Sequence, residues 1–528
     1  MASVLAAWPA LHSAVPYWDQ FGEPTPAEIR ASLLLHHNEH LILLPRLGFL
    51  LDHGWVSGRN TVNLATILGI QLLHALLLAW VAGTAAGRRF DLLAFGLALA
   101  ALFSAYSFEN LFWGFQTQFV GVFLLGSAAC AALFLRPGPA GLRGAVLAGG
   151  AASLTLANGV LLLPLLAAIA LLAGRPRREV LWLGLAGALA LAAFLSGYRP
   201  VAGHGTLSTL WRDPGGVLVF LAALLGAPPA ILLGLGAPRD GAAGPAALLG
   251  AAGLAAVALL AALRLRRGAA PAEWALFAIL AFVVASATTM AAGRVVFGMH
   301  AAAAPRYGTP ALLFWLVLLL WAQAALAGRP LRVRLAVASL AVATVAVLAG
   351  HQARFLRMAE GWLGWRHAVE TAWLAGVRDV AAFGRIHPEA ERVAAVGARL
   401  RAERRSVFSD PWAGWLDQPL DAVARLAPAG RCRGGVDVVA AEPGAGFLRL
   451  RGWAADAGGR PLFRVVIADA EGRVVGFGRG PIRRPAEARA AAGPRQGWQG
   501  HARGEAAEGL KLFGVLAPGE LCALGPAG

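Results

Sequence analysis

Charge is what this chain is short of. Charged side chains make up 14% of its 528 residues, against about 25% in soluble domains, which excludes an ordinary water-soluble globule over the whole length. Lysine is all but missing, with Lys511 alone, so the formal net charge of +17 is carried by arginine. Those arginines sit in separate short segments and form no single basic stripe, which argues against a nucleic-acid partner. There are three cysteines and no Cys-x-x-Cys pair, so neither a disulfide-dense scaffold nor a zinc ribbon fits. A phosphate-cradling glycine loop and a Gly-x-Ser-x-Gly elbow are also missing.

What is present is long apolar runs. Val62–Ala82, Gly121–Leu135, Val180–Leu195, Ala246–Leu263, Trp274–Ala292, Ala311–Leu326 and Leu335–Gly350 are nearly free of charge. Each meets or approaches the ~20 residues that span a bilayer as a helix. Between the runs stand Arg88/Arg89, Arg136 with Arg143, Arg175/Arg177/Arg178, Arg264/Arg266/Arg267 and Arg329/Arg332/Arg334. Positive charge of this kind marks cytoplasmic loops. With all five clusters on one side, about ten spans follow, and the C-terminal tail is left on the outer side. Parity between Arg178 and Arg264 requires that Val217–Leu235, interrupted by Gly226-Ala227-Pro228-Pro229, be a broken or re-entrant helix. Met1–Val15 reads as a short first span or a signal-like segment. Glu28–Gly54, too polar to cross, reads as one amphipathic helix at the outer surface.

The expected fold is an all-α polytopic membrane bundle over residues 1–350, with a first outer loop at 19–60. Interfacial amphipathic helices and a linker follow at 351–430. A small β-sandwich-like extracytoplasmic domain closes the chain at 431–528, because short runs such as Phe447–Trp453 and Leu462–Ala468 alternate with turn residues. Cys130 reads as a small buried hydrophobe. Cys432 and Cys522 bracket the polar tail, and on an oxidising side they either close its two ends as a disulfide or stay separate.

Four polar clusters fall on the outer face of that topology: Tyr17-Trp18-Asp19-Gln20; His37-Asn38-Glu39-His40; Glu109-Asn110 with Trp113 and Gln116; and Arg294 to Tyr307, including Arg306. Ionisable groups near membrane depth are functional candidates by default. Plainer readings stand beside this one. Asp19 can be a solvated carboxylate, Glu39 a salt-bridge partner, Glu109-Asn110 a helix cap and Arg306-Tyr307 an interfacial anchor. His36, His37 and His40 do not share one helical face, which disfavours a metal site.

An acidic residue in the first outer loop, an amphipathic helix after it, about ten spans and an outer C-terminal domain resemble the GT-C superfamily of integral-membrane glycosyltransferases. The Tyr-Trp-Asp-Gln, Asn-Glu-His, Glu-Asn-x-x-Trp-Gly-Phe-Gln and Arg-Tyr segments also resemble a group of bacterial membrane proteins with that layout. The resemblance covers roughly residues 1–350 and lacks a strict Asp-x-Asp in the first loop. It implies a multi-pass protein of the bacterial inner membrane that takes a hexose or pentose from a polyprenyl-phosphate donor and gives it to an extracytoplasmic glycan, lipid or protein acceptor. Such chemistry needs a base beside the acceptor hydroxyl, with Asp19 the first choice and Glu39 the second. It needs cations at the leaving phosphate, for which Arg294 and Arg306 with Tyr307 are the candidates. Tyr17, Trp18, His40, Glu109, Asn110, Trp113 and Gln116 would line the substrate. The sequence specifies no cofactor; a divalent cation, magnesium or manganese, is the one assistant this chemistry would recruit. The competing functions are a transporter or flippase, or a polymerase or ligase, of lipid-linked glycans.

Overall fold

A computed structural model of the chain describes residues 1–238, 243–264, 268–326, 330–441, 444–484, 493 and 495–524. Arg266, Arg267 and Arg329 lie outside the described residues. Helix accounts for 65% of the chain, with one substantial sheet at the C-terminal end. The chain forms two compact units that interleave in sequence. The first holds Met1–Leu5, Ala31–Gly48 and Asn63–Leu356; the second holds Ala6–Arg30, Phe49–Val62 and Arg357–Gly528. The contiguous division at residues 350 and 430 expected from composition is therefore not how contacts group the chain.

Among the described residues, nine helical stretches are long and apolar enough to cross a membrane: Thr61–Ala85, Leu92–Phe112, Gly114–Leu135, Arg177–Leu195, Pro214–Leu232, Gly244–Arg264, Pro271–Phe297, Pro305–Ala325 and Leu331–Ala375. Between Arg143 and Arg175 the chain makes only the short helices Pro139–Ser153 and Leu162–Leu172. They double back at Asn158-Gly159, where an added Cβ on Gly159 would fall 2.0 Å from the Ala152 carbonyl oxygen. The N-terminal helix, Ala2–Leu11, has ten residues, about 15 Å at 1.5 Å per residue. That is about half the hydrocarbon thickness, which places it among the shorter apolar helices.

Contacts within the first unit sort the helix ends. Phe134 stacks on Trp274, Phe277 packs on Trp321, and Arg264 forks onto Glu273 at 2.8 and 2.9 Å. These gather the ends of three helices at the start of Pro271–Arg294. At the other end of that helix, the Gly205 N–H donates to the Gly293 carbonyl at 3.1 Å. Arg264 and the helix end that precedes Arg136 therefore lie at the first end. The break expected at Gly226–Pro229 is absent: Pro214–Leu232 is continuous through both prolines. The prolines lie in its last turns, where few ladder bonds remain to lose. The Leu225 carbonyl, which Pro229 cannot serve, accepts instead from the Trp315 indole N–H at 2.7 Å.

The single amphipathic helix expected over Glu28–Gly54 is also corrected. The chain forms a helix at Pro26–Ser32, a hairpin of β1 (His36–His37) and β2 (His40–Leu41), and a helix at Leu43–Val56. Asn38 adopts φ +51° in the two-residue turn, a conformation that Asn tolerates and a helix forbids. Leu44, Leu47, Leu51 and Trp55 are exposed along the last helix, at the spacing of a single face.

In the second unit, β3 (Arg425–Leu426), β4 (Cys432–Ala441), β5 (Phe447–Asp456), β6 (Arg464–Ala468), β7 (Val474–Ile482), β8 (Gly497–Arg503), β9 (Lys511–Ala517) and β10 (Glu520–Ala523) form one sheet. Its order is β3-β10-β9-β6-β7-β8-β5-β4. This is a half-barrel and not the expected sandwich. The sheet curls until Cys432 on one edge strand and Cys522, one strand in from the other edge, form a disulfide with Cα atoms 5.7 Å apart. Leu448, Leu450, Val465, Ile467, Trp498 and Leu512 fill the concavity. The helix Trp365–Ala375, expected to be interfacial, is buried from Arg366 to Ala375 and packs on β7 and β8.

Candidate functional site

The hairpin turn in the first unit carries Glu39 to a cationic cluster. Arg294, the last residue of its helix, donates to Glu39 Oε1 at 2.9 Å and meets His204 Nδ1 at 2.8 Å. His204 Nδ1 lies 3.3 Å from Glu39 Oε2, and His40 Nε2 lies 3.8 Å from Oε1. The Glu39 and Arg294 side chains are each 21% exposed, so the group is half-buried and reachable. Phe297 walls it, edge-on to His204 and beneath Arg294 at 5.8 Å. Burial pushes the Glu39 carboxyl up, but His40, Arg294, a backbone N–H and His204 outweigh it and hold its pKa below the usual carboxylate value. Glu39 is thus a carboxylate at neutral pH, able to accept a proton and unsuited to donate one.

A second cluster of the same unit joins the Glu109 segment to the Arg306 turn. The Asn110 amide donates to the Arg306 carbonyl at 2.8 Å and to Thr309 Oγ1 at 2.9 Å. Glu109, 4% exposed, lies 3.9 Å from Arg306, which is 42% exposed and stands 5.5 Å over the Tyr307 ring. Trp113 stacks on Phe115, and Phe115 meets His37. Aromatic contacts therefore run from the Glu109 segment to the Glu39 hairpin. Gln116 is buried, with its side-chain oxygen unpaired.

The structure thus brings Glu39, His40 and Arg294 together, and separately Glu109, Asn110, Arg306 and Tyr307. Tyr17, Trp18 and Asp19 belong to the second unit. There Tyr17 is buried under Arg366, and Trp18, at φ +46°, is exposed. His204 was not legible as a site residue. Its one signal is a histidine flanked by glycines, Gly203 at φ +80° and Gly205 docked on Gly293. Among the described residues no group of three or more His, Cys, Asp or Glu side chains could hold a metal ion. No protein-family model, curated protein or solved structure matches this chain significantly.

Proposed function

We propose that the chain is a multi-pass membrane protein that transfers a sugar from a polyprenyl-phosphate donor to an acceptor outside the cytoplasm, in the manner of the GT-C glycosyltransferases. The observation that carries the reading is the Glu39–Arg294–His204 constellation at the helix ends opposite the arginine-rich loops. Glu39 takes the proton of the acceptor hydroxyl as it attacks the anomeric carbon. Arg294 and Arg306 supply guanidinium forks for the departing phosphate. His204 and Phe297 keep Arg294 in place. Asp19 stays a candidate base on its sequence alone.

Membrane residence is supported by exposed leucines such as Leu181, Leu189, Leu248 and Leu259. Apolar faces of that extent are rare on soluble proteins and are covered by lipid in this reading. Outward placement of the sheet-bearing unit is supported by the Cys432–Cys522 disulfide, a bond favoured in oxidising compartments. The test is transfer of radiolabelled sugar by detergent-purified protein from a panel of polyprenyl-phosphate hexoses and pentoses. Wild type transfers from at least one donor, Glu39→Gln loses ~10²–10⁴-fold in rate, and Arg294→Ala loses a comparable amount. Full transfer by both variants would refute the assignment.

A further inference from the structure

The second unit holds a group of buried arginines that the proposed transfer does not use. Arg366, on the helix Trp365–Ala375, is 1% exposed. Arg479, on β7, is 8% exposed. Arg464, at the start of β6, is 12% exposed on its side chain, and Arg59 is 34% exposed. The carboxylates set against them are Glu370 and Asp410. Arg464 bonds Glu370 and reaches Asp410 at 3.3 Å, and Asp410 is also bonded by Arg59. Three guanidiniums, Arg59, Arg464 and Arg479, therefore share two carboxylates.

Arg479 is the outlier. Its nearest carboxylate oxygen is Glu370 Oε2 at 3.8 Å from Nε, beyond hydrogen-bond range. Its Nε is buried with no partner, and among the described residues its guanidinium donates no hydrogen bond. His367, 3% exposed, feels the charge of Arg479, and its Nδ1 is buried without a partner while its Nε2 is held by the His12 carbonyl at 3.2 Å. Burial, then Arg464, lowers the Arg479 pKa to about 10, so it stays charged at neutral pH. Burial, then Arg479 and Arg366, lowers the His12 pKa to about 4, so His12 adds no charge there. A buried guanidinium whose Nε has no hydrogen-bond partner is a costly arrangement, and a small anion resolves it.

We propose that the second unit binds a phosphoryl group at Arg479, with Arg464 and Arg366 as neighbouring cations. A planar fork with free donors suits phosphate oxygens, and Glu370 and Asp410 hold the flanking arginines in place. The phosphoryl group comes either as free phosphate or as a lipid headgroup. The site shares no residue with the Glu39 cluster, so its failure would leave that reading untouched. The test uses the full chain in detergent and equilibrium dialysis with ³²P-labelled inorganic phosphate, in parallel with labelled polyprenyl phosphate in micelles, at constant ionic strength. In an Arg294→Ala/Arg306→Ala background, which removes the guanidiniums of the transfer site, one mole of either probe binds per mole of protein, and the probe that displaces the other identifies the source. Arg479→Gln weakens binding about tenfold or more, while Arg479→Lys keeps part of it. Absence of saturable binding of both probes in that background would overturn the proposal, as would unchanged binding by Arg479→Gln. If Arg479→Gln fails to fold, the stoichiometry in that background and Arg479→Lys decide.

Discussion

Two ion-pair clusters of this protein use the same residue types and differ in what surrounds them. Around Glu39 the pairs are about one-fifth exposed and all belong to loops or helix ends. Around Glu370 they are built on a helix and two strands and nearly closed to solvent. Charge that keeps contact with water can exchange its partner for a substrate at small cost to folding. Charge sealed in a core is tied to the stability of the fold. The first cluster therefore has the physics of a working site, and the second that of a structural lattice in which Arg479 pairs with Glu370 but keeps an Nε without a hydrogen bond.

The comparison predicts opposite responses to the same chemical change. The largest effect on stability falls on Glu370→Gln. It strands Arg464 and Arg479 and costs about 3–5 kcal/mol, read as a fall in the thermal unfolding midpoint. Opening the sheet by Cys432→Ser with Cys522→Ser, a crosslink between positions 90 residues apart, costs about 2–5 kcal/mol. Gly226→Val acts in the first unit. An ideal Cβ there meets the Ala246 carbonyl oxygen at 1.8 Å, so overpacking costs about 1–3 kcal/mol. Glu39→Gln has the smallest effect, under about 1 kcal/mol for a partly solvated pair. A Glu39 variant that unfolded as readily as the Glu370 variant would break the comparison.

Acid sharpens it further. Asp379 receives both Arg449 nitrogens at 2.6 and 2.8 Å and His501 Nε2 at 2.9 Å, and caps Ala382. Burial pushes its pKa up, but Arg449, His501 and the cap hold it far below the ordinary carboxylate value. A lowered folded-state pKa gives stability that is fully present above the unfolded value near 4 and is lost as pH falls below it. The second unit's unfolding midpoint should therefore drop below about pH 4, and Asp379→Asn should flatten that drop.

The helices were legible because uninterrupted apolar runs admit few structures. The continuity of Pro214–Leu232 was not legible, since the Leu225 carbonyl freed by Pro229 is served by the distant Trp315 indole. The hairpin at His36–Leu41 was missed because the helical apolar spacing on both sides hid a turn set by Asn38 alone. The half-barrel was missed because strand runs do not reveal sheet order, although Cys432 and Cys522 marked where its margins meet. Of the site, Glu39, His40, Arg294 and Arg306 stood out as rare charges between apolar runs. His204 did not, since its place depends on the Gly205–Gly293 contact.

The most direct test of the account is the sugar-transfer rate of Glu39→Gln beside its unfolding midpoint, measured on the same preparation with a donor that wild type accepts. The account predicts a loss of at least ~100-fold in rate with the midpoint within a few degrees of wild type. Transfer at the wild-type rate by a folded Glu39→Gln protein would contradict it.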